Sequence, residues 1–466
     1  MSQVPPEQDR VEPPTAEAEE RYGLVTNLVY AVEDKLAAEK IDEVAELVAD
    51  LHDADVAALL QTLGRLERER LIEILGTALA PGVLPCLNAA VRQEVIDQIG
   101  PHHLARLLSA LDIDHAVQVF DNLDAEFQHR ILSELPQVYR QLLEESLSYP
   151  EESAGRLMQR DAVVVPSVWT LGETIDYLRG ADDLPDDFYD LYIVNPKHHP
   201  IGYIPLSRAL RTRRPVPLTE IMERDMKVIP LTMDQEEVAY IFAHYGLISA
   251  PVVDEDGRLA GVVTAGNVVR VVNEVAQEDF MKLAGVKGAD LFSAPLHTTK
   301  SRAPWLLVNL ATAILASVVI GLFEATIGQL VALAVLMPIV ASMGGNAGTQ
   351  TLTVAVRALA MKDLTEANVP RFVRKEVLIG AVNGSLFAVL VGLVVWLWFS
   401  SPALGAVIAA AMIVNMIVAG LFGTLIPIGL NRLGIDPAIA SGIFVTTVTD
   451  VVGFISFLGL AALFLI

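Results

Sequence analysis

Five apolar segments fill the last third of the chain, at residues 304–323, 325–356, 373–400, 403–430 and 437–465. Each reaches the roughly 20 residues a helix needs to cross the bilayer core, and in lipid such segments must satisfy their own backbone as helices. A five-helix membrane domain is therefore expected over residues 303–466. The charge agrees once it is divided along the chain. The sequence holds 33 Lys and Arg against 57 Asp and Glu, a formal net charge of −24. From Ala303 onward six basic residues balance six acidic ones, so the excess lies in residues 1–302. An acidic soluble part precedes a neutral membrane part.

Lysine and arginine set the expected orientation. Lys282, Lys287, Lys300 and Arg302 precede the first segment; Arg357, Lys362 and Arg371 lie between the second and third, with Arg374 and Lys375 at the entry to the third; Arg432 lies between the fourth and fifth. The other connections and the C-terminus have none. The acidic part is expected in the cytoplasm, beneath a plasma (inner) membrane, with Ile466 on the outer side.

Asp450, in "FVTTVTDVVGF", stands near the middle of the last segment. A carboxylate at the centre of a membrane helix costs about 2.5–3.5 kcal/mol on insertion scales. Apart from Arg374 and Lys375 at the very start of the third segment, no basic residue stands within the apolar runs to pair with it. Protonation, a water-filled path or a bound cation remain as ways to offset that cost. The second segment carries "MPIVASMGGNAGTQ", which brings Gly344, Gly345, Asn346, Gly348 and Gln350 into an apolar run. These residues allow close helix packing, or a kink that exposes carbonyl oxygens. Asn346 and Gln350 are four apart, on one helical face, and offer neutral oxygens suited to a hard, hydrated cation. Read together with Asp450, the stretch is expected to line a cation path.

The soluble part divides further. Residues 1–20 read as a disordered acidic tail, and 21–150 repeat apolar residues at helical spacing between "APG", "GPHH" and "ELPQ", which predicts a helical superhelix. Its acidic faces either bind divalent cations or keep it soluble. His102, His103, His198 and His199 read as exposed loop histidines, and the single cysteine, Cys86, as a core thiol. In 151–272 the pattern turns to short β-branched runs alternating with helices. "LYIVNPKHHPIGYIPLSRAL" (191–210) and "APVVDEDGRLAGVVTAGNVV" (250–269) share one layout about 59 residues apart, and each resembles a CBS domain, the second more closely. A pair of α/β CBS domains is implied. In such pairs an aspartate in the strand-to-helix turn holds an adenine nucleotide's ribose; here Arg208 and Asn267 stand there, so no nucleotide site is expected. Residues 273–302 read as a connecting, plug-like helix.

With "YPEESAGRLM" (149–158), "MGGNAGTQ", "VPRFVRKE" (369–376) and "VTTVTD" (445–450), the chain resembles the MgtE magnesium transporter family from residue 21 onward. The resemblance implies a homodimer in the lipid bilayer with Asp450 of both subunits facing one Mg²⁺, the transported ion. It also implies regulation by cytosolic Mg²⁺ bridging carboxylates. Of those, Asp114, Asp234, Glu278 and Asp279 remain here, while Gly82, Gln118, Gly246, Asn267, Arg270 and Val275 replace others, so magnesium sensing is expected to be weakened. A proton- or sodium-coupled carrier and a membrane-tethered cation sensor are the alternatives. No P-loop, nucleophile elbow or zinc-hydrolase spacing occurs, and neither an enzyme nor a nucleic-acid partner is expected.

Overall fold

The computed structural model describes residues 26–466 apart from 122, 182, 183, 186, 284 and 287–294. The expected tail at 1–20 and much of the connection before the first span lie outside the described residues. The chain forms two compact units, one ending at Val272 and the other beginning at Asn273.

The first unit opens with short helices from Thr26–Ala37 to Gln137–Ser148. Their apolar positions turn into one core that includes Leu59, Leu60, Leu84, Leu104 and Phe120. Asn88 and Asp124 cap two of these helices by accepting from the backbone N–H three residues on. "GPHH" bends a helix rather than forming a loop, because Gly100 takes φ 75° and Pro101 cannot continue the hydrogen-bond ladder. His102 and His103 thus sit on a helix, His102 beside Glu134 Oε2 at 2.7 Å. Cys86 corrects the sequence expectation: it ends the one-turn helix Val83–Cys86, whose Val83 and Leu84 point into the core while the thiol is exposed. One helix of this region matters below, α1 (Ile113–Phe120).

Two three-stranded sheets follow. β1 (Val164–Pro166) lies parallel to β2 (Asp190–Val194), which pairs antiparallel with β3 (Pro200–Pro205). β4 (Ile229–Pro230), β5 (Ser249–Val253) and β6 (Leu259–Thr264) repeat that order. The internal repeat is thus a structural one, and its copies meet at equivalent places. Ser249 Oγ donates to Asp190 Oδ2 at 2.5 Å, 59 residues away along the chain. α2 (Gln235–Tyr245) is capped by Asp234, and α3 (Ala265–Leu283) runs on from β6.

Among the described residues, the second unit holds five helices long and apolar enough to cross a membrane. They lie in α4 (Pro295–Gly321), α6 (Ala332–Ala360), α7 (Val369–Phe399), α8 (Pro402–Arg432) and α9 (Pro437–Phe464); a short α5 (Glu324–Gln329) stands apart from α6. The second apolar segment is therefore two helices, separated at Leu330 and Val331. Within α6, "GGNAGTQ" is unbroken helix rather than a kink. Glycine and asparagine weaken helices in water, but lipid offers no competing partner for a freed backbone group.

Small residues bring the spans together. A Cβ on Gly380 of α7 would lie 2.5 Å from the Met416 carbonyl oxygen of α8, and one on Gly420 would lie 2.6 Å from the Glu376 carbonyl oxygen. Only glycine permits that approach. On the other side α6 and α8 share a core with α9 that contains Leu336, Val340, Ile408, Phe454 and Phe457.

Candidate functional site

Three contacts place α6 against α9. Gly345 adjoins Thr446, a Cβ on Gly348 would lie 2.5 Å from Val445 Cγ1, and Gly344 and Gly453 both flank Asn415 of α8. As residue numbers fall along α6 they rise along α9, so the helices are antiparallel. Thr446 and Gly453 bracket Asp450, which therefore lies level with the glycine stretch of α6. Asp450 is half-buried, and among the described residues no ion pair or hydrogen bond reaches its carboxylate.

The expected site residues of α6 split between two faces. Gly344 and Gly348 are buried in the helix contacts, and Gly345 is half-buried. Asn346 and Gln350 are exposed, together with Ser342, Thr349 and Thr353. These five positions follow one helical stripe, with offsets of four, seven, eight and eleven residues from Ser342. Thr349 and Thr353 donate back to the carbonyls of Gly345 and Thr349, both at 2.9 Å, which leaves their oxygen lone pairs outward. A neutral polar stripe at the level of one carboxylate can replace part of a hard cation's hydration shell, or hydrogen-bond to it, without trapping the ion. Ser342, Thr349 and Thr353 were legible in the sequence through that periodicity.

Packing brings out two further polar residues. Glu376 of α7 is buried, accepts from Thr351 Oγ1 of α6 at 3.3 Å, and lies 3.9 Å from Lys375 Nζ. Asn415, in "AAMIVNMIV", is wholly buried and donates to the Val340 carbonyl at 2.8 Å. A lone asparagine in an apolar run was its sequence signal.

The four carboxylates expected to be regulatory are held by different partners within their own units. Asp114, on α1, is buried and accepts from Asn267 Nδ2 of α3 at 2.7 Å, while its Oδ1 has no partner among the described residues. One helical turn further along both helices, Arg270 Nη1 donates to Gln118 Oε1 at 2.9 Å. Asp112 and His115 bring ligand atoms within 4.8 Å of those of Asp114. Asp234 accepts from Glu236 N at 2.7 Å as a helix cap. In the second unit, Lys282 Nζ stands 3.0 Å from Glu278 Oε1 and 2.8 Å from Asp436 Oδ2. Burial works against the charged lysine, but those two carboxylates outweigh it and hold its pKa above the ordinary value. Burial, then the Asp436 charge, push the Asp279 carboxyl up. At the substituted positions, a Cβ on Gly82 would overlap the Asp53 carboxylate, and Gly246 ends α2 in the left-handed region at φ 63°. Arg208 pairs with Glu223 and donates to the Ile221 carbonyl at 3.1 Å.

Comparison with known proteins gives one consistent result. The family described as "Divalent cation transporter" (MgtE) matches residues 337–460, the "MgtE intracellular N domain" matches 51–152, and the CBS domain matches 218–274. The chain is 31% identical over 427 residues to the magnesium transporter MgtE of Thermus thermophilus, covering 90% of this chain and 94% of that one. It is 33% identical over 323 residues to the MgtE of Enterococcus faecalis, covering 69% and 71%. Among solved structures, it is similar to the cytosolic domain of the Mg²⁺ channel MgtE in complex with ATP, at 28% identity and a TM-score of 0.48, over 52% of this chain and 99% of that one.

Proposed function

The chain belongs to the MgtE family of divalent cation transporters, and on that premise we propose that it carries Mg²⁺ across the membrane as a homodimeric, channel-like importer. The observation that carries this reading is Asp450, without a basic partner among the described residues, level with the glycine stretch of α6 and its polar stripe. A two-fold axis beside Asp450 would supply paired carboxylates from one residue per chain and would cover a stripe unsuited to lipid. Mg²⁺ gives up its water reluctantly, so Asp450 attracts the hydrated ion through water while Asn346 and Gln350 hydrogen-bond to its shell. An inward-negative potential drives entry with about 4.6 kcal/mol per divalent ion per 100 mV, twice the single-charge value. The acidic unit lies in the cytoplasm and Ile466 outside, as the positive residues require.

Regulation by cytosolic Mg²⁺ through Asp114, Asp234, Glu278 and Asp279 is weak in this proposal, because Asn267, Arg270 and Lys282 already hold positions near those carboxylates. Nucleotide binding is left out, since Arg208 is paired and Asn267 is occupied.

Ion-resolved flux into proteoliposomes tests the proposal. A membrane potential without a proton or sodium gradient should suffice for Mg²⁺ uptake, and Asp450→Asn should reduce uptake at least about tenfold. Uptake that requires either gradient would instead make the protein a coupled carrier, with Asp450 as its protonatable group.

A further inference from the structure

Asn415 lies near the middle of α8, between Val414 and Met416, and none of its surface is exposed. Its side chain fills a slot between two other helices, against Gly344 of α6 and Gly453 of α9. A Cβ on Gly344 would overlap the amide, and one on Gly453 would lie 2.8 Å from Nδ2. The three helices therefore meet on this one side chain. Nδ2 donates to the Val340 carbonyl at 2.8 Å, and Oδ1 is buried without a partner among the described residues.

Packing does not account for an amide here. Leucine has nearly the same shape and would fill the slot without burying an unsatisfied acceptor, which is the costly half of a broken hydrogen bond. The helix does not need the bond either, because the Val340 carbonyl is already the i−4 acceptor for the Gly344 N–H. What the added bond does is tie the glycine face of α6 to α8, at the level where α9 carries Asp450 and, one turn on, Gly453.

We propose that Asn415 is a positioning residue for ion selection: its bond to the Val340 carbonyl anchors it to α6 while its amide is wedged between Gly344 of α6 and Gly453 of α9, and together these contacts set the spacing of α6 from α9 at the level of Asp450. The inference rests on the ion-path reading above. A looser spacing admits larger hydrated or partly dehydrated divalent ions, so losing the bond changes selectivity as well as rate.

The test compares Mg²⁺ and Ca²⁺ flux in proteoliposomes of the full-length protein for wild type, Asn415→Leu, Asn415→Ser and Asp450→Asn, with thermal midpoints measured in detergent. Asn415→Leu should keep or raise the midpoint, cut Mg²⁺ flux at least tenfold and lower the Mg²⁺ to Ca²⁺ flux ratio at least fivefold. Asn415→Ser, which retains a hydroxyl donor, should recover part of that ratio. Flux and ratio within twofold of wild type in Asn415→Leu would overturn the inference, as would loss of folded protein in both Asn415 variants, which would make the amide an assembly residue. Asp450→Asn separates the two levels. If it leaves flux intact, the path is misplaced and the inference falls with it; if it abolishes flux while Asn415→Leu behaves as wild type, only the role of Asn415 falls.

Discussion

At the scale of single residues, the buried carboxylates carry the clearest expectations. Asp190 is held above the usual carboxylate range by burial, against the opposing bond from Ser249. A carboxyl whose folded pKa is raised binds its proton more tightly in the native state. Its contribution to stability is therefore fully present below the unfolded value, about 3.9, and is lost as pH rises through the folded value. Asp190→Asn should flatten the pH dependence of unfolding in that window, measured by denaturant titration of the full chain from pH 4 to 7; an unchanged slope would assign the dependence to other groups. Cys86 makes a second point at this scale. Four residues, "VLPC", look apolar throughout, yet a single helical turn cannot bury all its faces, so the thiol is left outside. The sequence made the composition of that turn legible but not its rotation, which the packing of Val83 and Leu84 decides.

Between elements, the meeting of α1 and α3 is the most informative. Asn267 uses its whole amide: Oδ1 accepts from Thr264 N and Oγ1 at 3.1 and 2.7 Å, and Nδ2 donates to Asp114. The two helices are thus joined by direct hydrogen bonds between neutral and singly charged groups. Asn267→Asp would set two carboxylates facing at that separation, and repulsion would then demand a bridging cation. Limited proteolysis should find wild-type protection equal in EDTA and in millimolar Mg²⁺, and the variant protected only with Mg²⁺. Lys282→Gln is expected to act alike at the start of α9, where it leaves Glu278 and Asp436 without their shared ammonium. There, crosslinking of cysteines placed on α3 and α9 should become dependent on Mg²⁺. Much of this level was legible beforehand: the strand-turn-strand repeat gave both sheets, and hydropathy gave the spans. Side-chain pairing across helices far apart in sequence was not: the resemblance placed positions 114 and 267 in one bridging set, but which atoms pair there follows only from the packing of the two helices. The unbroken "GGNAGTQ" helix shows a different limit, in which the solvent, and not the residue propensities, decides whether the backbone stays helical.

For the whole molecule, the uneven charge makes a topological prediction. An impermeant maleimide should label the exposed Cys86 in inverted membrane vesicles and fail to label it in intact cells. The opposite pattern would reverse the orientation and the sense of ion flow. The close contact of α7 and α8 has another consequence. Only Ser400 and Ser401 separate the two helices, and glycines on both allow backbone to meet backbone, with Gly405 and Gly392 in one such approach and Gly420 and Glu376 in another. Gly420→Val would drive a branched side chain into that seam and should cost at least about 1–3 kcal/mol, read as a lower thermal midpoint. In the order of synthesis, these two spans are complete before α9 exists. The hairpin can therefore close as a finished surface in the nascent protein, and α9, bearing Asp450 near its middle, enters a bundle already assembled to receive it.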